Sequence, residues 1–187
     1  MIIMGIDPGL TSTGYGVIEK KGNRLRALGF GAITTSSADD LTARLDEIYR
    51  RVKELIAEYR PDLVVVEELF FNTNARSAMV VGEARGGIIL AAAHCGVTVE
   101  EYTPLQVKQA LVGNGRAEKR QVEYMVRSLL RLEGEVGSSH ASDALALAIC
   151  HAHREKLEKR VRKLAGEGGE VGRNGGGKRG TSPVVPP

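Results

Sequence analysis

Two short apolar segments of this chain each end in an acid, and a helix-like stretch lies between them. Residues 2–7 and 63–67 have the composition of buried strands, and apolar residues within 40–59 recur every three or four positions, as in an amphipathic helix packed on a sheet. Strands joined by such a helix run parallel within one sheet. Their final residues, Asp7 and Glu67, are therefore expected side by side at one edge of that sheet.

The rest of the pattern predicts a mixed sheet covered by helices. The polar turn at residues 20–23 joins two further strands, which are expected to be antiparallel. Thr103, Pro104 and Gln106 form a capping box with a proline at the first helical position, so a helix should begin there. The order of elements matches the ribonuclease-H-like architecture, an α/β fold with a five-stranded mixed sheet flanked by helices. Strands are predicted at residues 2–7, 14–18, 24–33, 63–67 and 97–102, and helices at 40–59, 74–94, from 103 to the break at 113–115, at 117–132, and from 138 or 139 through 153 toward 163.

Length and composition indicate one domain followed by a tail. The chain has 187 residues, of which 42% are hydrophobic, enough for one domain with a substantial core. We expect this domain at residues 1–163 and a flexible, basic, Gly/Pro-rich tail at 164–187. Residues 154–187 hold nine of the 26 Lys and Arg but only four of the 23 Asp and Glu. The domain itself is therefore not basic overall, and bulk charge alone does not indicate a nucleic-acid-binding protein.

The sequence shows no segment suited to membrane insertion or secretion. No stretch approaches the roughly 20 apolar residues that span a bilayer, and the chain reaches Asp7 before a signal-peptide core could form. A cytoplasmic protein without membrane contact is expected. Cys95 and Cys150 lie in apolar helical stretches and are expected to be free thiols without a function.

Four polar residues from three distant segments are candidates for a metal site: Asp7, Glu67, His140 and Asp143. An acid at the end of a buried strand costs free energy unless a cation meets it. Hard cations such as Mg²⁺ are held by carboxylate oxygens from separate elements. His140 and Asp143 are three residues apart and share a helix face. If that face covers the sheet edge, the four side chains surround a pocket for two cations about 4 Å apart, which is suited to cleaving phosphodiester bonds.

Each candidate also has an ordinary structural explanation. Asp7 can form a turn, Asp143 is favoured in a first helical turn by the helix dipole, and His140 can be a polar neighbour of the helix cap. Glu68 competes with Glu67, because adjacent strand residues point to opposite faces and only one of them can reach the site. The residues taken alone leave these alternatives open.

Five short motifs occur in order along residues 1–153. They are Gly5-Ile6-Asp7-Pro8-Gly9, Thr13-Gly14-Tyr15-Gly16-Val17, Glu67-Glu68-Leu69-Phe70, the stretch from Gln106-Val107-Lys108-Gln109 through Gly113 to Ala117-Glu118-Lys119, and Ser142-Asp143-Ala144-Leu145-Ala146. In this order and at these distances they resemble the RuvC Holliday-junction resolvase family. That combination is far more specific than an isolated pair of acids.

The resemblance implies a homodimeric, Mg²⁺-dependent endonuclease that nicks two strands of a four-way DNA junction symmetrically, in recombination and repair. It implies Asp7, Glu67, His140 and Asp143 as metal ligands and two ions per site. Some members of the family have aspartate at the position of His140 and others have histidine. Since imidazole suits Mn²⁺ better than Mg²⁺, Mn²⁺ is expected to support activity too, and His140 is alternatively an acid/base group. A branch-migration helicase complex of the RuvA and RuvB type is the implied partner.

The resemblance also points to residues that contact DNA. Lys108 and Lys119 match basic residues that the family places beside the scissile phosphate, where a cation stabilises developing negative charge. Of the two, Lys119 is also the candidate catalytic residue. The alternative for each lysine is a solvated helix face. Phe70 matches the ring that the family inserts near the crossover, where it can stack on an unpaired base. Further candidates, for phosphate contact, are Arg76, Arg85, Arg116 and Arg120.

The helix predicted at residues 74–94 is rich in Ala and Gly, so another backbone can approach it closely. It is expected to pack either on its own sheet or against a second copy of the chain. Symmetric nicking needs two active sites, which makes this helix the candidate dimer interface.

Two other functions compete with a nuclease. An actin-like ATP-binding domain also begins with a strand that ends in an acid, but such proteins need a duplicated domain, and Pro8 removes a backbone donor from the loop that would bind phosphate. A non-catalytic junction-binding module would need the basic and aromatic residues but not the acids. Cleavage and ATP-binding assays with a four-way junction separate the three.

Overall fold

A computed structural model describes residues 1–68, 75–134 and 136–167 of the chain. Five strands form one mixed sheet in the order β3-β2-β1-β4-β5, and the expected five-stranded sheet is confirmed. β1 is antiparallel to β2 and parallel to β4, with Ile6 opposite Val66 in the register. The strands are β1 (Ile2–Asp7), β2 (Ser12–Lys21), β3 (Arg24–Thr34), β4 (Leu63–Glu67) and β5 (Thr98–Tyr102).

Helices cover both faces of the sheet and divide the core in two. On one face Met4 and Val64 pack with the buried residues of the first two helices. On the other face Ile3 and Val65 pack with the last three helices. Alternate residues of each strand therefore face different helices, as the period of two in a strand requires. The helices are α1 (Leu41–Tyr59), α2 (Ala75–His94), α3 (Pro104–Val112), α4 (Lys119–Leu130) and α5 (Ser139–Glu167).

The local signals at helix ends are realised in the structure. Thr103 caps α3 with its side chain and forms the predicted capping box with Gln106. The α3 helix ends at Gly113, whose φ of 76° is accessible to glycine at no steric cost. Asp40 caps α1 by accepting a hydrogen bond from the backbone of Ala43. These contacts fix where the elements begin and end around the sheet.

Three elements, β2, α4 and α5, differ from their predicted bounds by more than one residue. β2 begins at Ser12 rather than at residue 14, and α4 ends at Leu130 rather than at residue 132. β2 runs on to Lys21, because it pairs with β3 along its whole length with a register shift at Val17 and Ile18. α4 begins two residues later than predicted, where Glu118 forms a capping box with Gln121. α5 continues past residue 163 to Glu167.

The chain divides into two units, Met1–Glu155 and Lys156–Pro187. The first contains the whole sheet and both parts of the core. In the second, the structure describes the helical residues 156–167. The predicted boundary at residue 163 and the predicted flexible tail stay predictions, and most of the tail lies outside the described residues.

The remaining predictions about the chain as a whole concern membranes and thiols. Among the helices that the structure describes, none combines the length and the hydropathy of a membrane span. Cys95 and Cys150 are free, and Cys150 is buried, as expected.

Candidate active site

Asp7 and Glu67 lie at the ends of neighbouring parallel strands, one residue beyond the pair formed by Ile6 and Val66. Each continues the series of residues that faces α5, since Ile3 and Val65 on the same strands pack there. Both carboxylates therefore point to the α5 side of the sheet edge. This placement was predicted from the two apolar segments that end in acids.

Glycines in β1 and β2 let α5 approach the sheet very closely. A Cβ atom at Gly5 would lie 1.9 Å from the carbonyl oxygen of Ala144, and one at Gly14 would lie 2.0 Å from that of His140. Both distances are far inside van der Waals contact. Gly14 is also the register partner of Asp7. The bare backbone at these positions sets the first turn of α5 directly above the end of β1.

This approach brings two residues of α5 to the sheet edge. His140 Nδ1 lies 2.7 Å from Asp7 Oδ2, and with the proton on Nδ1 the ring donates to the carboxylate. On the other side of the site, Lys119 Nζ at the start of α4 donates to Asp143 Oδ2 at 2.7 Å. Two of the three acids thus have a basic partner from another element.

The electrostatics of Glu67 reflect the crowding of acids. Burial, followed by repulsion from Asp7 and Asp143, raises the pKa of Glu67 to about 7, although Lys119 acts in the opposite direction. Burial also raises the pKa of Asp7, against the hydrogen bond from His140 that lowers it. Since Asp143 helps to raise the pKa of both Asp7 and Glu67, this is a site where added positive charge is stabilising.

A cavity of about 200 Å³ opens beside this cluster. Glu67, Asp143 and Lys119 line one part of it, and Lys108 from α3 lines another. Pro104 and Val107 form an apolar wall of the cavity, although the sequence analysis named them only for a helix start and a motif. Their place at the site could have been predicted, because the capping box fixes the start of α3 at the end of β5, next to β4. Lys119, predicted to be catalytic, and Lys108, predicted to contact DNA, therefore share a pocket with two of the acids.

The structure decides between Glu67 and Glu68. Glu68 is exposed, and its backbone N–H donates to the carbonyl of Tyr102 at 2.9 Å, which continues the pairing of β4 with β5. Its side chain follows the opposite alternation from Glu67. Only Glu67 joins the acidic cluster.

The predicted DNA-contacting residues have different outcomes. Phe70 and the side chain of Arg76 lie outside the described residues, so their roles stay predictions. Arg85 forms a 2.5 Å ion pair with Glu101 and packs inside its own chain. Arg116 and Arg120 are exposed near the start of α4.

Comparison with known proteins identifies the family. Residues 3–151 match the family described as "Crossover junction endodeoxyribonuclease RuvC". A protein of that name from Alkaliphilus metalliredigens is 56% identical over 153 residues, which cover 82% of this chain and 93% of the relative. The chain belongs to the RuvC family.

Solved RuvC structures share the fold. The Thermus thermophilus RuvC structure matches with a TM-score of 0.78 at 42% identity. The match covers 84% of this chain and 97% of the T. thermophilus chain. T. thermophilus RuvC in complex with a Holliday junction substrate matches with the same TM-score at 39% identity, over 84% of this chain and 96% of that one. Asp7, Glu67, Lys119, His140 and Asp143 all lie within the matched residues 3–151, and α5 continues beyond them.

RuvC proteins are metal-dependent nucleases, and the donor set of this chain suits such an ion. Three carboxylates and an imidazole supply the oxygen and nitrogen ligands that divalent cations take. Within residues 1–68, 75–134 and 136–167, no group of three His, Cys, Asp or Glu side chains is positioned as it stands to hold a metal ion. Asp7 and Asp143 instead contact His140 and Lys119 through one carboxylate oxygen each.

Proposed function

We propose that this protein resolves four-way DNA junctions by metal-dependent hydrolysis of phosphodiester bonds in two strands. The observation that carries the proposal is the meeting of Asp7, Glu67 and Asp143 at one sheet edge, with Lys119 bound to Asp143. A junction-binding module would have no use for a half-buried cluster of acids in which the pKa values of Asp7 and Glu67 are raised. Membership of the RuvC family supports the same substrate.

Asp7, Glu67, His140 and Asp143 are the proposed metal ligands. Two Mg²⁺ ions are proposed, with Mn²⁺ able to substitute because an imidazole is in the set. Bound divalent ions would supply Lewis-acid stabilisation of an in-line displacement at phosphorus. The protein's part is to hold the carboxylates on two rigid strands and one helix, so that little reorganisation is needed when DNA arrives.

Lys119 and Lys108 are proposed to stabilise the charge that develops on the scissile phosphate. Both line the cavity beside Glu67 and Asp143, so a phosphate there would lie within reach of both ammonium groups. Asp143 would serve as a metal ligand, and Lys119, which is paired with Asp143 in this structure, would serve the phosphate.

His140 has two proposed roles. As a ligand it would contribute a ring nitrogen to an ion. As an acid/base group it would hold a proton on Nδ1 against Asp7 and use Nε2 toward the reacting oxygens. An Asp variant of His140 keeps a ligand but removes the imidazole, so retained Mg²⁺-dependent cleavage in His140→Asp would favour the ligand role.

The finer statements about partners are proposals from the family resemblance. Phe70 would stack on a base at the crossover, and Arg76 would contact a phosphate. A RuvA and RuvB type complex would deliver the junction. Chromosomal DNA as the substrate would place the protein in the cytoplasm.

A homodimer is proposed through α2. Ala84 and Ile88 bury one face of this helix against its own core. The opposite face exposes Met79 and Leu90, and the space around Gly86 is open. Both packing arrangements expected from the sequence can therefore coexist, with one face for each.

The test is cleavage of a synthetic four-way junction by the full chain with Mg²⁺, with Mn²⁺ and with a chelator. Asp7→Asn is expected to bind the junction but to cut it at least about a hundredfold more slowly, because a lost metal ligand costs several kcal/mol of transition-state stabilisation. Asp46→Asn, which changes an exposed acid on α1, is the control and should cut normally.

Three outcomes would refute the proposal in different ways. Unimpaired cleavage by Asp7→Asn would remove Asp7 from the mechanism. Junction binding without cleavage by the wild-type chain, with either ion, would indicate a binding module. Saturable ATP binding in the absence of any junction affinity would favour the actin-like alternative.

A further inference from the structure

A second groove lies between the same two helices, α4 and α5, next to the acidic cluster. It has a volume of about 480 Å³. Arg120, Tyr124 and Arg127 line it from α4, and Ser138, Ser139 and Ser142 line it from the start of α5. The three serines lie close to the acidic cluster in sequence, because Asp143 follows Ser142 directly.

The α4 wall of the groove is cationic. Arg120, Tyr124 and Arg127 are spaced by four and three residues, so they share one face of the helix. All three side chains are exposed, and among the described residues neither arginine has an ion-pair partner. Glu123 also lines the groove and contributes one negative charge against two positive ones. The net charge favours an anion.

The α5 wall adds a helix N-terminus and an orphaned hydroxyl. Ser138 caps the helix by accepting a hydrogen bond from the backbone of Ala141 at 3.1 Å. Ser142 is only 3% exposed, and its Oγ has no hydrogen-bond partner among the described residues. A buried hydroxyl without a partner is unusual in a folded protein. An oxygen-rich ligand at this wall would supply the missing partner.

We propose that this groove binds a backbone phosphate of the DNA strand that is being cut, next to the phosphate that is hydrolysed. The inference rests on the proposed function and adds a second contact point to it. Lys119 and Arg120 are consecutive on α4, and Ser142 and Asp143 are consecutive on α5. Consecutive helical residues are turned by about 100° from each other. The two helices thus present one side to the acidic cluster and the neighbouring side to the groove.

The spacing of phosphates in DNA suits this arrangement. One strand carries a phosphate about every 3.4 Å along the duplex axis, so a strand with one phosphate at the acidic cluster has others within reach of the adjoining groove. A contact of this kind carries no sequence information but fixes the register of the strand. The groove would therefore act on binding and positioning, and Arg127 and Ser142 are its binding residues.

The test compares Arg127→Gln and Ser142→Ala with Arg24→Gln in the full chain with Mg²⁺. Arg24 is an exposed arginine at the start of β3, at the opposite edge of the sheet from Asp7, so its variant removes the same charge elsewhere. Single-turnover cleavage of a four-way junction is measured against protein concentration and salt. Arg127→Gln is expected to raise the half-saturating concentration about tenfold, to reduce the salt slope by about one and to leave the maximal rate within about twofold.

Ser142→Ala separates binding from folding. It is expected to raise the half-saturating concentration a few-fold, while its thermal midpoint stays the same or rises because an unpartnered hydroxyl has been removed. A loss of affinity together with a lower midpoint would show that Ser142 is only structural, and would overturn its assignment.

Neutral methylphosphonate links, placed singly at the first three phosphates on each side of the cut, identify the bound phosphate. Wild-type protein should lose affinity at one such position, and Arg127→Gln should be insensitive to the same change. Inorganic phosphate is the probe for the other source of this chemistry. Arg127-dependent binding of inorganic phosphate without any effect on junction cleavage would overturn the DNA assignment.

The outcomes separate failure of the groove proposal from failure of the proposed function. If wild-type protein cuts junctions while Arg127→Gln and Ser142→Ala match it in half-saturation and salt slope, the groove proposal fails and the proposed function stands. If wild-type protein cuts no junction at all, the proposed function itself has failed.

Discussion

At the scale of single residues, the site holds more acidic than basic side chains. His140 and Lys119 each bind one acid, and Glu67 lacks such a direct partner among the described residues. Its pKa of about 7 is therefore a consequence of burial next to Asp7 and Asp143. Without an ion, ionised Glu67 is therefore destabilised by burial and by repulsion from the other two acids.

Glu67→Gln should stabilise the ion-free protein at high pH. Because the folded pKa of about 7 exceeds the ordinary value of 4.5, the favourable contribution of Glu67 is complete below pH 4.5 and is lost as the pH rises through 7. Glutamine does not titrate, so the free energy of unfolding of the variant should exceed that of wild type by about 1–3 kcal/mol at pH 8 and by much less at pH 4.5. The partial exposure of Glu67 is already discounted in this range. Urea unfolding in a chelator measures this.

Glu68→Gln is the matched control for that measurement. Its side chain is exposed on the adjacent residue, so the change in unfolding free energy should stay within about 0.5 kcal/mol at both pH values. An equal gain for Glu67→Gln at pH 4.5 and pH 8 would show that the carboxylate is not under electrostatic strain.

At the scale of elements, sequence prediction succeeded where the signal is local. The capping box at Thr103, the stop at Gly113 and the amphipathic α1 depend on residues within one or two turns, and all were predicted. The seating of α5 on β1 and β2 could not be predicted, because it joins residues more than 100 positions apart. The glycines at 5, 14 and 16 were noticed only as parts of motifs, although their role is to leave room for a helix.

Gly14→Ala should damage the site through this seating. The new methyl group would meet the backbone of His140, so α5 must move, at a cost of about 1–3 kcal/mol in unfolding free energy. A shift of about 1 Å in His140 and Asp143 is expected to slow cleavage about a hundredfold. Single-turnover cleavage and urea unfolding of the same preparation measure both effects.

Ala32→Val provides the comparison for Gly14→Ala. Ala32 is the β3 register partner of Gly14 but is exposed, so the added methyl groups should reach solvent and leave cleavage unchanged. Cleavage at the wild-type rate by Gly14→Ala would mean that α5 tolerates displacement and that the close approach is not needed for the site.

At the scale of the whole molecule, the two faces of α2 do different work. The inward face completes the core, and the outward face with Met79 and Leu90 is exposed in the isolated chain. The sequence could not separate these faces, because its small residues suit close packing on either side. Likewise, four arginines were predicted from the sequence to contact phosphate, and Arg127 was not among them. Its place in one groove with Ser142 depends on how α4 packs beside α5, which the sequence does not show.

Leu90→Glu should convert the proposed dimer to monomer. Burying an unpaired charge at the interface is expected to raise the dimer dissociation constant about a hundredfold or more, while the monomer fold is kept because Leu90 is 49% exposed. Sedimentation equilibrium measures the change, with Leu157→Glu, another exposed leucine, as the control. A wild-type chain that is monomeric at micromolar concentration would contradict the proposal directly.

Deleting residues 164–187 should leave the maximal cleavage rate within about twofold, because the RuvC match ends at residue 151 and no site residue lies in the deleted part. The deleted residues hold three Lys and Arg against two Glu, so at most a small loss of junction affinity at low salt is expected. A collapse of the rate at saturating protein would place part of the catalytic machinery in the tail.

The ion pair of Lys119 and Asp143 joins the first residue of α4 to the second turn of α5. Asp143 and Lys119 join the strand residues Asp7 and Glu67 only when both helices are packed on their face of the sheet. A chain with these helices unfolded would therefore hold an incomplete site, so loss of the fold is expected to abolish cleavage rather than to release unspecific cutting.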